Sequence, residues 1–199
     1  MIKVTKGELT KQRILETAAM MFWKHSYHSV QVDKIVAQAK VNKASFYQYF
    51  KNKEQAAIEG IDYMFQRTKS YAFEGSFQAK TKPVERLEEI FKRIYRIHKD
   101  QVKEEGRTPG CPFVNIGNEM ATDNEIIRKK VEKMFDEFSR YHQDIFEHSS
   151  GVKADLKPIL AGRLIQGILN GAMTSAKIRN RPQDILDSLV SAKLLLGIS

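Results

Sequence analysis

The feature that most limits the fold is a sudden shortening of apolar stripes at helical spacing. Ile14, Leu15, Ala18, Ala19, Phe22 and Trp23 recur every three to four residues, which predicts one helix from about Lys6 to Lys24. Val32, Ile35, Val36 and Ala39 then mark only about two helical turns. After Lys40, Val41 and Asn42 a third stripe begins, from Lys43 to about Phe50, with Asn42 placed to cap it. A longer helix followed by two short ones across a tight turn is a helix-turn-helix inside a three-helix bundle.

That third stripe holds Phe46, Tyr47, Tyr49 and Phe50 among lysines at 43, 51 and 53. Phe46 and Phe50 are four apart and share a face. They are expected to plug the bundle against Leu15, Phe22, Ile35 and Ala39, each contributing about 1.5–3 kcal/mol on full burial. Lys43, Ala44, Tyr47 and Gln48 fall away from that face. Ala44 is small enough for a helix to approach DNA closely. Gln48 matches adenine N6/N7 and Lys43 matches guanine O6/N7. Ser45, Tyr47 and Tyr49 offer hydroxyls to phosphate oxygens. Lys53 brings a charge and a helix N-terminus to the same backbone.

Charge placement agrees. The chain carries a net charge of +9. Residues 1–60 hold ten Lys and Arg against five Asp and Glu, so double-stranded DNA is the expected partner. RNA is a poorer match, because a reading helix suits the B-form major groove rather than the narrow A-form one.

Helical spacing continues to the end of the chain. A fourth helix is expected from about Lys53 to Tyr71, followed by a loop at Glu74–Pro83. A fifth runs from about Val84 to Val102, with Leu87, Ile90, Phe91, Ile94, Tyr95 and His98 on one face. After the Pro/Gly-rich break "KEEGRTPGCP" comes a short sixth helix at about Pro112–Met120. Asp123 is expected to cap a long seventh helix, with Ile126, Ile127, Val131, Met134, Phe135, Phe138 and Ile145 facing inward. The loop "HSSGVKAD" leads to an eighth at about Leu156–Ile178, and Pro182 opens a ninth, about Gln183–Leu196. The fold class is all-α with about nine helices. An N-terminal bundle at 1–52 precedes a larger helical domain at 53–199.

With 42% hydrophobic and 29% charged residues the chain reads as globular. It has no run long enough for a membrane span, and its first residues lack a secretory signal. A cytoplasmic location is expected. One cysteine, Cys111, excludes an internal disulfide.

The stretch "DKIVAQAKVNKASFYQYFKNKE" resembles the helix-turn-helix of the TetR family of bacterial repressors. Ile35, Ala39, Val41, Tyr47, Tyr49, Phe50, Lys53 and Glu54 keep its pattern, over about Thr10 to Ala57. The resemblance implies a third helix in the major groove, with tyrosines and a lysine on phosphates. Three positions depart. Ser26 stands where the family often has glycine. Val30 stands where a hydroxyl commonly caps the second helix. Lys40 replaces the turn glycine, a position that often needs positive φ.

The same resemblance implies a homodimer on a palindromic operator, with half-sites roughly 34–36 Å apart. Its seam would lie on the eighth and ninth helices, where Gly162, Gly167, Gly171 and Ala172 allow close approach. Leu164, Ile168, Ile185, Leu189 and Leu195 would supply apolar area. It further implies a ligand domain whose small-molecule effector releases the DNA. The candidate lining is Phe91, Tyr95, His98, Cys111, Phe113, Asn115, Phe135, Phe138 and Asn170, an aromatic wall suited to an apolar or aromatic ligand. "GCPFVNIGNEMATDNEIIRKKV" and "GAMTSAKIRNRP" resemble a TetR subgroup of NemR type, which responds to electrophiles, with Lys177 included. Independently, a thiol at a helix N-terminus in a basic chain can have a lowered pKa and react as thiolate, with Lys103, Arg107 or Lys177 to assist; the other reading of Cys111 is an inert packing residue.

Other readings are weaker. Cys111 with His98 or His142 would serve a thiol enzyme, but no glycine-rich phosphate loop or paired catalytic motif accompanies them, and no enzyme or cofactor is expected. Cys111, His142 and His148 match no compact metal-ligand spacing. An accessory DNA binder without small-molecule control would carry a filled core in the larger domain.

Overall fold

A computed structural model describes residues 5–150 and 155–197, and every regular element in them is helical. The helices are α1 (Lys6–His25), α2 (Val32–Gln38), α3 (Lys43–Tyr49), α4 (Lys53–Thr68), a π-helical segment (Lys69–Glu74), α5 (Gly75–Ala79), α6 (Pro83–Glu105), α7 (Pro112–Met120), α8 (Glu125–His148), α9 (Pro158–Arg179), α10 (Gln183–Asp187) and α11 (Leu189–Leu195). Taking α4 to α5 as one continuous rod and α10–α11 as another, nine rods stand among the described residues. None of the described helices is long and apolar enough to cross a membrane. Part of the expected "HSSGVKAD" loop, residues 151–154, lies outside the described residues.

Contacts gather into two compact units. The first holds the residues up to Gln66 together with Pro112–Arg128; the second holds Arg67–Cys111 and the residues from Lys129 onward.

In the first unit α1 opens on a capping box. Thr5 Oγ1 accepts from Glu8 N–H at 3.2 Å, and the Glu8 carboxylate accepts from Thr5 N–H at 2.7 Å. The α1 stripe buries Ile14, Ala18, Ala19, Phe22 and Trp23. Ile35, Ala39, Phe46 and Phe50 complete that core.

Two expectations about element ends are corrected. The segment Glu74–Pro83 is not wholly loop: the α4 rod continues to Ala79 through the π-helical segment. That wider turn accompanies a buried Phe73, whose ring stacks on Phe138 at 4.5 Å. Arg93 Nη1 donates to the Tyr71 carbonyl at 2.7 Å, within the stretch where the helical ladder changes. A Cβ on Gly75 would meet the Arg93 guanidinium, the far end of a flexible side chain, and the Ser70 carbonyl at 3.2 Å.

The cap of α8 is Asn124 rather than Asp123. Its Oδ1 accepts from Ile127 N–H at 3.0 Å, while Asp123 is exposed. Ile126, expected inward, is also exposed.

Candidate nucleic-acid interface and sensor core

The turn between α2 and α3 is built by hydrogen bonds that close a Schellman motif. Val41 N–H donates to the Val36 carbonyl at 3.0 Å, and Lys40 N–H to the Ala37 carbonyl at 3.2 Å. Lys40 takes the left-handed conformation, φ 52°. Asn42 then caps α3, its Oδ1 accepting from Ser45 N–H at 2.7 Å. Four residues, Ala39, Lys40, Val41 and Asn42, thus redirect the chain into α3.

Phe46 and Phe50 are fully buried, with ring centroids 5.4 Å apart. Lys43, Ala44, Tyr47 and Gln48 are exposed on the opposite face. Tyr47 stands 51% exposed, edge-on to Phe46. Ser45 and Tyr49 are half-buried. The Tyr49 hydroxyl reaches the first turn of α1, 3.3 Å from where a Gly7 Cβ would be. Lys43 pairs with Asp33 at 2.8 Å, and that hydrogen bond raises its ammonium pKa. Both groups are exposed, so the pair adds little to stability and is free to exchange for another anion.

Lys53, expected on a phosphate, also makes contacts within the protein. Its Nζ donates to the carbonyls of Tyr27 and Val30 at 3.0 and 3.1 Å and lies 4.2 Å over the Tyr27 ring. Two of its three N–H groups therefore fasten the α1–α2 turn. Glu119 of α7 holds the same turn from the other polarity: its carboxylate accepts from Tyr27 N–H at 2.9 Å and His28 N–H at 3.0 Å. Burial alone would raise the Glu119 carboxyl, but the N–H groups of His28 and Tyr27 outweigh it and lower its pKa. Ser26, in the glycine position, has φ 76°, and Val30 is buried rather than capping; the N-cap of α2, Gln31, makes no side-chain cap. Sequence reasoning missed Glu119 as a contact because it meets the turn across 92 residues of chain.

The ten candidate sensor residues divide between the units. Phe113 and Asn115 lie in the first. Phe113 is buried edge-on to Phe65 and lines a cavity of ≈ 20 Å³ with Ala19, Phe22, Trp23, Ile61 and Met64. That volume holds about one water, far short of a drug-sized pocket. Asn115 is half-buried.

The other eight lie in the second unit. Phe91, His98, Cys111 and Phe138 are buried, Tyr95, Phe135 and Asn170 half-buried, and Lys177 exposed. Three of them meet at Gly110. His98 hydrogen-bonds to its backbone. The Lys177 stem would touch a Gly110 Cβ at 3.1 Å, and Cys111 is the next residue. Gly110 has φ 77°, so both its conformation and its neighbours require glycine. The segment before it is pinned by Asn180, which accepts from Thr108 N–H at 3.0 Å and donates to the Gly106 carbonyl at 2.9 Å. Phe138 meets the buried His142 through Phe73. Asn170 Oδ1 accepts from Gln166 Nε2 at 2.9 Å.

The expected dimer residues also divide. Gly162 and Ile185 are buried within their own chain. A Cβ on Gly162 would strike the Ser139 carbonyl of α8, so this glycine serves α8–α9 packing rather than an outer face. Gly167 and Gly171 have nothing within 4 Å of a Cβ position. Leu164 is exposed, and Ile168 and Leu189 are half-buried. Leu160, Leu164, Gly167, Gly171 and Ile178 recur at four- and three-residue intervals or their sum along one outer stripe of α9. Val190 and Leu194 stand exposed on α11.

Comparison with known proteins agrees with this arrangement. Residues 14–57 match the model of the bacterial regulatory proteins of the tetR family. Residues 83–188 match the C-terminal domain of LmrA/YxaF-like transcriptional regulators. The transcriptional repressor DhaR of Mycobacterium sp. (strain GP1) is 28% identical over 193 residues, which are 93% of this chain and 92% of DhaR. The transcriptional regulator AcuR of Cereibacter sphaeroides is 28% identical over 187 residues, 90% of this chain and 81% of AcuR. The solved regulatory protein TetR from Rhodobacter sphaeroides has a TM-score of 0.75 and 27% identity, covering 95% of this chain and 97% of that one. An exposed reading helix on a buried phenylalanine anchor, followed by a helical domain of this kind, makes the chain a member of the tetR family, a helix-turn-helix, DNA-binding transcriptional regulator.

Proposed function

We propose that the protein is a homodimeric repressor that binds a palindromic operator and leaves it when a small apolar, aromatic or electrophilic effector binds. Residues 1–52 read the DNA; residues 53–199 bind the effector and dimerise. The observation that carries this reading is the outward set Lys43, Ala44, Tyr47 and Gln48 on a helix fixed from behind by Phe46 and Phe50. Lys43 and Gln48 meet base edges. Ser45, Tyr47, Tyr49 and the remaining N–H of Lys53 meet phosphates. Two copies join through the outer stripe of α9 and through α11, where Leu164, Gly167, Ile168, Gly171 and Leu189 combine with the exposed Val190 and Leu194. Such an apolar stripe is otherwise costly on a protein in water.

Titration of labelled operator duplex with variants tests the assignment. Tyr47→Phe weakens binding to every sequence by a similar factor, about 1 kcal/mol for one phosphate hydrogen bond. Gln48→Ala leaves binding to random duplex unchanged and narrows the gap between operator and random duplex by about 1–3 kcal/mol. If Gln48→Ala leaves that gap intact, α3 does not read the operator.

A further inference from the structure

An acidic side chain stands beside the outward face of α3. Asp33, in the first turn of α2, is exposed, and its Oδ1 lies 2.8 Å from the Nζ of Lys43, the first residue of α3. Lys43 belongs to the outward set that the buried Phe46 and Phe50 hold in place. Stability does not account for the pair: the two side chains are 53% and 66% exposed, and such pairs contribute little. A carboxylate here also opposes binding to a polyanion, unless it accepts a hydrogen bond from the DNA. The sugar-phosphate backbone of DNA has no hydrogen-bond donor. In the major groove the donors are the amino groups of cytosine N4 and adenine N6. Cytosine N4 and guanine O6 are partners within one base pair, so they lie one hydrogen bond apart, about 2.9 Å. Lys43 Nζ and Asp33 Oδ1 have nearly that separation and the complementary polarity.

We propose that Asp33 is a specificity-determining residue, and that it reads one G·C base pair of each half-site together with Lys43. Lys43 donates to guanine O6 and N7, and Asp33 accepts from the outward N4–H of cytosine. This rests on the operator reading above. No bond inside the protein is given up. An ammonium has three N–H groups, so one stays on Asp33 while two reach the guanine, and an ionised carboxylate has lone pairs to spare for cytosine. A C·G pair reverses the polarity and sets an amino group against the ammonium. A T·A pair keeps a keto oxygen and an amino group in the right order, but it puts a methyl group where guanine offers N7. Asp33 therefore lowers affinity for DNA in general and raises the preference for one base pair.

The test takes the duplex that the unmutated full-length protein selects from a randomised pool and changes it one base pair at a time, in both half-sites. At one position, reversal of G·C to C·G is expected to weaken binding at least about fivefold. N4-methylcytosine at that position still pairs with guanine, but a methyl group replaces the outward N–H. It is expected to weaken binding by the unmutated protein at least about fivefold, and by Asp33→Ala less than about twofold. Lys43→Ala is expected to lose its preference at the same base pair. Asp33→Ala is expected to bind random duplex more tightly than the unmutated protein, because a negative charge is gone, which also shows that it folds. If Asp33→Ala keeps every single-base preference of the unmutated protein, or if N4-methylation of no cytosine distinguishes the two, the proposal is overturned and the regulator reading stands. If the unmutated protein selects no motif, the regulator reading falls and the proposal falls with it.

Discussion

Lys40, at φ 52°, and Ser26, at φ 76° and ψ 153°, hold backbone conformations that cost L side chains about 1 and about 1–3 kcal/mol respectively. Both positions were legible in the sequence, because each stands where the family resemblance places glycine. Lys40→Gly is therefore expected to raise stability by about 0.5–1 kcal/mol, seen as a higher urea midpoint. The buried histidines were legible only as members of helical faces. Nothing local marks His142 as fully enclosed or His98 as packed against Gly110, since both facts depend on neighbours distant in sequence. Burial lowers both imidazoles from the ordinary 6.5, His142 to about 4. Unfolded imidazoles take up protons as pH falls through 6.5, while the folded ones do so only lower. Their contribution to stability is whole above that value and is lost as pH falls below it, for His142 down to about 4. Unfolding free energies from urea titration at pH 7.5 and pH 5 are expected to differ by about 2 kcal/mol on account of His142 alone. His142→Leu should remove that part of the difference. The carboxyls of Glu88, Glu89 and Glu119 are lowered from 4.5, so their losses come at still lower pH.

At the scale of elements, periodicity located every rod but not every end. The α4 rod outran its expected stop at Tyr71, because a π-helical turn at Lys69–Glu74 carries it on to Ala79. The α2–α3 turn was read more fully, since its geometry is set by residues within it: Asn42 caps, Lys40 turns, and Val41 closes the motif. The α1–α2 turn is different. Lys53 holds its carbonyls and Glu119 its N–H groups, from opposite ends of the first unit's sequence. Glu119→Gln keeps one acceptor but loses the charge that strengthens both bonds. Exchange of the Tyr27 and His28 amides is expected to quicken about tenfold, measured by hydrogen exchange. Unchanged protection would mean that the turn is held without Glu119.

For the molecule as a whole, the sequence carried the all-α class, the helix-turn-helix and the split of its aromatic rings. These follow from periodicity and spacing, which local residues set. It mixed Gly162 and Ile185, which pack inside their own chain, with Gly167 and Gly171, which have open space beside them. A small residue at helical spacing reads the same whichever helix it meets. The open stripe on α9 and the exposed α3 face are the two surfaces on which the proposed dimer on DNA depends. One measurement tests them together: selection of bound duplexes from a randomised pool by the purified protein, followed by sequencing. The account predicts a single enriched motif of two inverted half-sites about one helical turn apart. Recovery of duplexes with no shared sequence, or of a motif without inverted repetition, would contradict it.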